Sequence, residues 1–147
     1  MNRKEILKKI AEEQEKIVEN LQESVARYRT ASDMDEDDTL DPDDYARQTE
    51  AKDMQLRFEQ MLNAAKQNLA FIQSEAGGTH SQAEEGAIVE TGDHFFFLGS
   101  NVPHFEFDGK EVYCVTKETP VYKSIIGKNV GDQIQVGNQK AEITHIF

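Results

Sequence analysis

Tryptophan is absent from this chain of 147 residues, proline occurs three times, and cysteine occurs once, at Cys114. A single cysteine excludes an internal disulfide, so a protein of a reducing compartment, and hence a cytoplasmic one, is expected. Neither a charged-then-apolar leader nor a run of eighteen apolar residues is present, and no membrane partner is expected. Basic residues are scarce as well: 16 Lys and Arg stand against 28 Asp and Glu, a net charge of −12. Both parts share the sign, with 18 acids and 11 bases over residues 1–76 and 10 acids and 5 bases in the remainder. Direct binding to DNA or free RNA needs clustered Lys and Arg to displace counterions, and no such stripe exists here. Any contact with nucleic acid is expected inside a larger protein partner.

What the chain has in abundance is periodic apolar residues within polar sequence. From Arg3 to about Ala31 they recur at Leu7, Ile10, Ala11, Ile17, Val18, Leu21, Val25 and Tyr28. A second stripe runs through Ala51, Met54, Phe58, Met61, Ala65, Leu69 and Ile72. Spacings of three and four mark one helical face, so two amphipathic helices of about thirty residues, roughly 45 Å each, are predicted. Burying both stripes against each other makes an antiparallel coiled-coil hairpin over residues 1–76. The alternative is that both helices pack onto the C-terminal part as one globule. The second helix has a start signal in Asp41 as N-cap, Pro42 at the first helical position and Asp43 and Asp44 in the first turn. It is expected to stop before Gly77 and Gly78, and residues 77–86, "GGTHSQAEEG", read as a linker.

Beyond Ala87 the pattern changes to short β-like runs, "AIVET", "HFFFLG", "HFEF", "EVYCVT", "QIQVG" and "AEITHIF", separated by turn sequences. Between the fourth and fifth runs, one short helix is predicted with Thr119 as cap, Pro120 at its start and Gly127 past its end. The fold class is therefore α+β: a long helical hairpin followed by a small antiparallel β domain, residues 87–147, wrapped around one helix.

The two helices are joined by "SDMDEDDTLDPDDY", Ser32 to Tyr45, in which eight of fourteen residues are carboxylates. Such crowding costs self-repulsion unless water, a cation or a basic partner offsets it. Asp41, Asp43 and Asp44 suit a helix N-terminus in any case, and charge runs between helices are commonly solvated loops. Capping leaves Asp33, Asp35, Glu36, Asp37 and Asp38 unexplained. An EF-hand-like calcium loop is a second option, with Asp33, Asp35, Asp37, Leu40 and Asp41 at its positions one, three, five, eight and nine. It lacks Gly at position six, where Asp38 stands, and the longer bidentate Glu at position twelve, where Asp44 stands. His80, His94, His104 and His145 have no tight spacing for zinc. Cys114 reads as a strand residue rather than a nucleophile, and Phe95, Phe96, Phe97, Phe105 and Phe107 as core.

Two segments carry a resemblance. "TPVYKSIIGKNVGDQIQV", Thr119 to Val136, and the tip "DDTLDPDDY", Asp37 to Tyr45, resemble the Gre family of bacterial transcript-cleavage factors, in which an acid-tipped coiled coil precedes an FKBP-like β domain. The family's tip pattern, Gly-Asp-Leu-Ser-Glu-Asn-Ala-Glu-Tyr, puts its two functional carboxylates on Asp38 and Asp41, its following acid on Asp44 and its tyrosine on Tyr45. Asp37 replaces Gly, Pro42 replaces Asn, and aspartate shortens the glutamates. "DPDDYA" is also similar to the Asp-x-x-Asp-x-Ala tip of DksA-like secondary-channel regulators, through Asp41, Asp44 and Ala46. Both resemblances imply bacterial RNA polymerase as the partner, approached through its secondary channel. The Gre resemblance implies no enzyme in itself, but a factor whose Asp38 and Asp41, supported by Asp44, hold a Mg²⁺ shared with the polymerase beside the RNA 3′ end. The β domain would dock at the channel rim, with the exposed side of residues 92–110 as the expected contact. A DksA-like or inhibitory Gre-like factor would occupy the same channel without cleavage.

Overall fold

A helix can bury a seam only where the sequence repeats it, and here the repeat carries through two helices of more than thirty residues. The structure, a computed structural model, describes residues 2–32 and 42–147. Helix α1 (Asn2–Ser32) and helix α2 (Pro42–Ser74) are followed by β1 (Ile88–Glu90), β2 (His94–Leu98), β3 (Phe105–Phe107), β4 (Lys110–Val115), helix α3 (Pro120–Ile125), β5 (Gln133–Val136), β6 (Gln139–Glu142) and β7 (His145–Ile146). The α+β class is as expected: two long helices, then a small, mainly antiparallel β domain. The chain forms two compact units, one of Met1–Glu13 with Ala70–Phe147 and one of Gln14–Leu69.

In the unit of residues 14–69 the helices run antiparallel. Gln14 Nε2 donates to Ala65 O at 2.9 Å, Tyr28 stacks on Phe58 with centroids 5.3 Å apart, and Ser32 Oγ donates to Gln55 Oε1 at 2.9 Å. Partner numbers fall as residue numbers rise. The seam on α2 passes through Ala51, Gln55, Phe58, Leu62, Ala65 and Leu69, a spacing of three and four. Met61, expected in that seam, is instead 53% exposed, and Leu62 takes its place. The polar members Gln14 and Gln55 are both buried. A polar side chain in an apolar seam costs stability but fixes which residues face each other, because any slip would leave its hydrogen bonds unmade.

The other unit is built on a sheet buried on both faces. Strand order is β3-β4-β2-β1-β7, with β5 and β6 forming a separate hairpin. Side chains alternate along a strand, so β2 sends Phe95 and Phe97 to one face and Phe96 and Leu98 to the other. The first pair packs with Ile6, Leu7, Ile10 and Ile72 from the ends of α1 and α2. The second packs with Ile125 of α3 and with Ile134 and Ile143. The phenylalanines of β2 are thus core, as their strand spacing predicts. Phe105 and Phe107 are partly buried against the same core.

Two expectations are corrected. The sheet is not wholly antiparallel: β2 and β4 pair in parallel, from His94 opposite Glu111 to Leu98 opposite Val115. The chain runs first to the edge as β3 and returns through the left-handed Asp108–Gly109 turn, so apolar β4 takes the inner position and β3, with its exposed Glu106, the edge. Nor is "AEITHIF" one strand. β6 pairs with β5 and β7 pairs with β1, and the break lies where buried Ile143 exchanges hydrogen bonds with Gly131 and Asp132 while Thr144 N donates to Glu90 O. Helix α3 matches its prediction: Thr119 Oγ1 accepts from Tyr122 N, Pro120 opens the helix, and Gly127 follows with φ +79°.

The residue that composition and spacing did not single out is Arg3. Its side chain is 8% exposed, and its five N–H groups meet five acceptors. Nε donates to Gly78 O at 2.7 Å, Nη1 to Gly86 O and Phe147 O, and Nη2 to Glu75 O and Glu75 Oε2. The stretch 77–86 is therefore anchored at Gly78 and Gly86. Gly86 lies at φ +92°, and any Cβ there would collide with the Glu75 carboxylate. The same carboxylate accepts from His80 Nε2 at 2.9 Å, while His80 Nδ1 lies 2.6 Å from Glu84 Oε1. Only the doubly protonated ring can donate to a carboxylate from both nitrogens, so this arrangement favours the imidazolium. Burial lowers the pKa of His80, but the hydrogen bonds to Glu75 and Glu84 and the charge of Glu75 outweigh it, and the net shift is upward.

Arg3→Met removes the cation paired with Glu75 and one donor from each of four carbonyls, and should lower the stability of this unit by about 3–5 kcal/mol in urea titrations, with Arg3→Lys restoring only part. For His80 the folded pKa exceeds the ordinary 6.5, so its contribution is complete below pH 6.5 and disappears as pH rises through the folded value. Unfolding titrations at a series of pH values should show that loss in the natural chain and a flatter profile in His80→Gln.

Candidate functional site

The acidic segment has to be located from the residues that flank it. Asp38 and Asp41 lie outside the described residues, as do Asp33, Asp35, Glu36, Asp37 and Leu40 of the calcium-loop alternative. Asp44 lies within them. It sits half-buried in the first turn of α2, beside exposed Asp43, where carboxylates meet the positive end of the helix dipole. Tyr45 follows at 65% exposure, an amphipathic side chain displayed rather than packed, and Ala46 is exposed too.

Several contacts hold the ends of α1 and α2 together here. Gln48 Nε2 donates to Ser32 O at 2.9 Å, Ser32 Oγ reaches Gln55, and Gln55 Nε2 donates to Glu59 Oε1 at 3.0 Å. Arg29 Nη2 pairs with the same Glu59 oxygen at 3.1 Å. The hydrogen bonds from Gln55 and Arg29 hold Glu59 below the usual carboxylate range. Ser32 closes α1 and Pro42 opens α2 at one end of the antiparallel pair. The chemistry available is that of hard oxygen donors on a helix pair. Two carboxylates alone bind Mg²⁺ weakly, since the ion gives up its water reluctantly, and a second ligand set is needed.

The other candidates resolve differently. Cys114 packs against the core and its thiol is pushed up to about 12, chiefly by burial, so no thiolate is available near neutral pH. His94 and His104 flank the Tyr113 ring at 5.4 and 5.3 Å, and His145 lies 3.2 Å from Glu90. Among the described residues no three His, Cys, Asp or Glu side chains are grouped to hold a metal. Within 92–110 the outward residues include Asp93, Asn101, His104, Glu106 and Asp108. Of the three arginines nearest the tip, Arg29 is paired with Glu59 and Arg27 donates to Ser24 Oγ at 3.2 Å.

No protein-family model matches the chain, and neither does any curated protein. Among solved structures it is similar to GreA factor homolog 1 (Gfh1) of Thermus thermophilus, at 19% identity over 96% of this chain and 94% of that one, with a TM-score of 0.36.

If Asp43 acts on the helix dipole, Asp43→Asn should lower helix-pair stability by about 0.3–1 kcal/mol, read by thermal circular dichroism. A larger loss would mean that the carboxylate holds more of this end than the dipole requires.

Proposed function

We propose that this chain is a bacterial, cytoplasmic transcription elongation factor that enters the secondary channel of RNA polymerase and stimulates cleavage of backtracked RNA. It is not an enzyme by itself in this reading. Asp38 and Asp41 lend carboxylate oxygens to a Mg²⁺ that the polymerase also holds, with Asp44 in support, and the attacking water and the phosphodiester belong to the polymerase's active centre. Contact with the RNA 3′ end is made only there, and DNA is not contacted. The β domain, expected to be FKBP-like, serves as the docking module over residues 87–147, with the hairpin of residues 1–76 delivering the tip.

The observation that carries this reading is the antiparallel register of α1 and α2, in which Ser32 and Pro42, the residues that border the acidic segment in sequence, lie at one end of the pair. A second support is the Thr119–Val136 segment, whose resemblance to the Gre signature includes the Thr-Pro cap and the Gly127 stop of α3. A charge of −12 is consistent with a protein partner rather than naked nucleic acid. No helix of the described residues is long and apolar enough to cross a membrane.

One observation favours a second reading, in which the factor occupies the channel as a DksA-like or inhibitory Gre-like regulator. RNA contact would need a cluster of free cations near the tip, yet the nearby candidates are Arg27, Arg29 and Arg47, and Arg29 is paired with Glu59. A single assay separates the two. Added to stalled elongation complexes, the protein should shorten the RNA from its 3′ end, and Asp38→Asn or Asp41→Asn should reduce the rate at least about a hundredfold while leaving polymerase binding intact. Tight binding and altered promoter output without shortening would establish the regulator instead.

A further inference from the structure

Against the acidity of the whole chain, one concave surface of the β domain collects cations. Lys123 on α3, Lys128 in the turn after it and Lys140 on β6 line a groove of about 380 Å³, together with Ser124, Gln133 and Gln135. Between Thr119 and Ala141 the chain has three lysines and one carboxylate, Asp132, although acids outnumber bases 28 to 16 overall. That carboxylate is committed elsewhere, since Asp132 Oδ2 accepts from Asn129 N at 2.8 Å. Glu142 shares the strand face of Lys140 and stands opposite Gln133, and on its other side Lys140 borders a second depression with Glu142 and Asp93, so Lys123 and Lys128 are the cations of the groove most removed from carboxylates.

The groove is held by secondary structure rather than by the lysines. Gln135 N donates to Ser124 Oγ at 2.7 Å, which ties α3 to β5 and leaves the serine hydroxyl proton to donate. Ile134, 2% exposed, anchors the strand in the core from the opposite side. Three like charges around one concavity repel one another, and a multivalent anion removes that cost. Lysine ammonium groups bind phosphate as point charges, and an open, polar depression lined by exposed lysines suits an anion held by charge rather than an enclosed ligand. No aromatic side chain lines the groove to stack a base.

We propose that this groove binds a small anion carrying two or more phosphates, recognised through Lys123, Lys128 and Lys140 with Ser124 as a hydrogen-bond donor. The phosphates are the recognised group, whether free or carried by a nucleotide. The site is distinct from the acidic tip and does not depend on the reading of that tip.

Pyrophosphate titrated into the full ¹⁵N-labelled chain at constant ionic strength should give saturable amide shifts at Lys123, Ser124, Lys128 and Gln135, well below the concentration at which chloride acts. Lys128→Gln should weaken binding about threefold and the Lys123, Lys128 and Lys140 triple change to Gln should abolish saturation, while Lys9→Gln leaves it unaltered. The same spectra show whether each variant is folded. A nucleoside triphosphate binding as tightly as tripolyphosphate supports recognition of phosphates alone, and tighter binding supports a nucleotide as the natural source. Non-saturating shifts, unchanged affinity in the triple variant, or a poly-glutamate peptide binding more tightly than pyrophosphate would overturn the proposal, the last by making the groove a protein-docking surface.

Discussion

The β-containing unit is organised around a single guanidinium. All five N–H donors of Arg3 are used, and they join the start of α1, the end of α2, both ends of the 77–86 stretch and Phe147. A buried cation is costly unless paired and fully hydrogen-bonded, and Glu75 with four carbonyls meets both conditions. The planar fork matters as much as the charge, since a lysine offers three donors and no fixed directions. Around this point the sheet can be buried on both faces, one by the helix ends and the other by α3 and the β5–β6 hairpin.

That arrangement accounts for the division of the chain into units. Helix α1 supplies about three turns and α2 about one and a half to the β-containing unit, and the rest of each belongs to the antiparallel pair of residues 14–69. The two parts of each helix meet different demands. Near the sheet, α1 buries Ile6, Leu7 and Ile10, whereas farther along the seam admits Gln14 and, on α2, Gln55. A seam with polar members sacrifices some burial for a defined register, and a defined register is what a helix pair needs if its joined end is to present side chains reproducibly.

Much of this was legible in the sequence where one local rule dominated. Pro42 and the glycine pair bounded α2, and Thr119, Pro120 and Gly127 bounded α3, because capping and backbone restriction act within a few residues. The phenylalanines of β2 read as core from strand spacing alone. What stayed hidden depended on distant partners. Arg3 looked like one more cation on an amphipathic helix, since its acceptors lie more than seventy positions away. The parallel β2–β4 pair and the division of the last run into β6 and β7 are choices between sheets, and alternation along one strand cannot express them. Met61 and Leu62 are adjacent and both apolar, so only the partner helix decides which one is covered. At the candidate site, Asp44 was placed by its helix, whereas Asp38 and Asp41 rest on the sequence resemblance.

Electrostatics links the fold to the proposed role. Eight carboxylates, six between the two helices and two in the first turn of α2, are tolerable in water and would become useful beside a divalent cation held by another protein. The most direct test replaces the catalytic Mg²⁺ of the polymerase with Fe²⁺ and generates hydroxyl radicals in the complex with this protein. Scission of the chain confined to the neighbourhood of residues 37–45 is the predicted result. Scission confined to the β domain, or none in a complex shown to be intact, would contradict the claim that the acidic end reaches the metal.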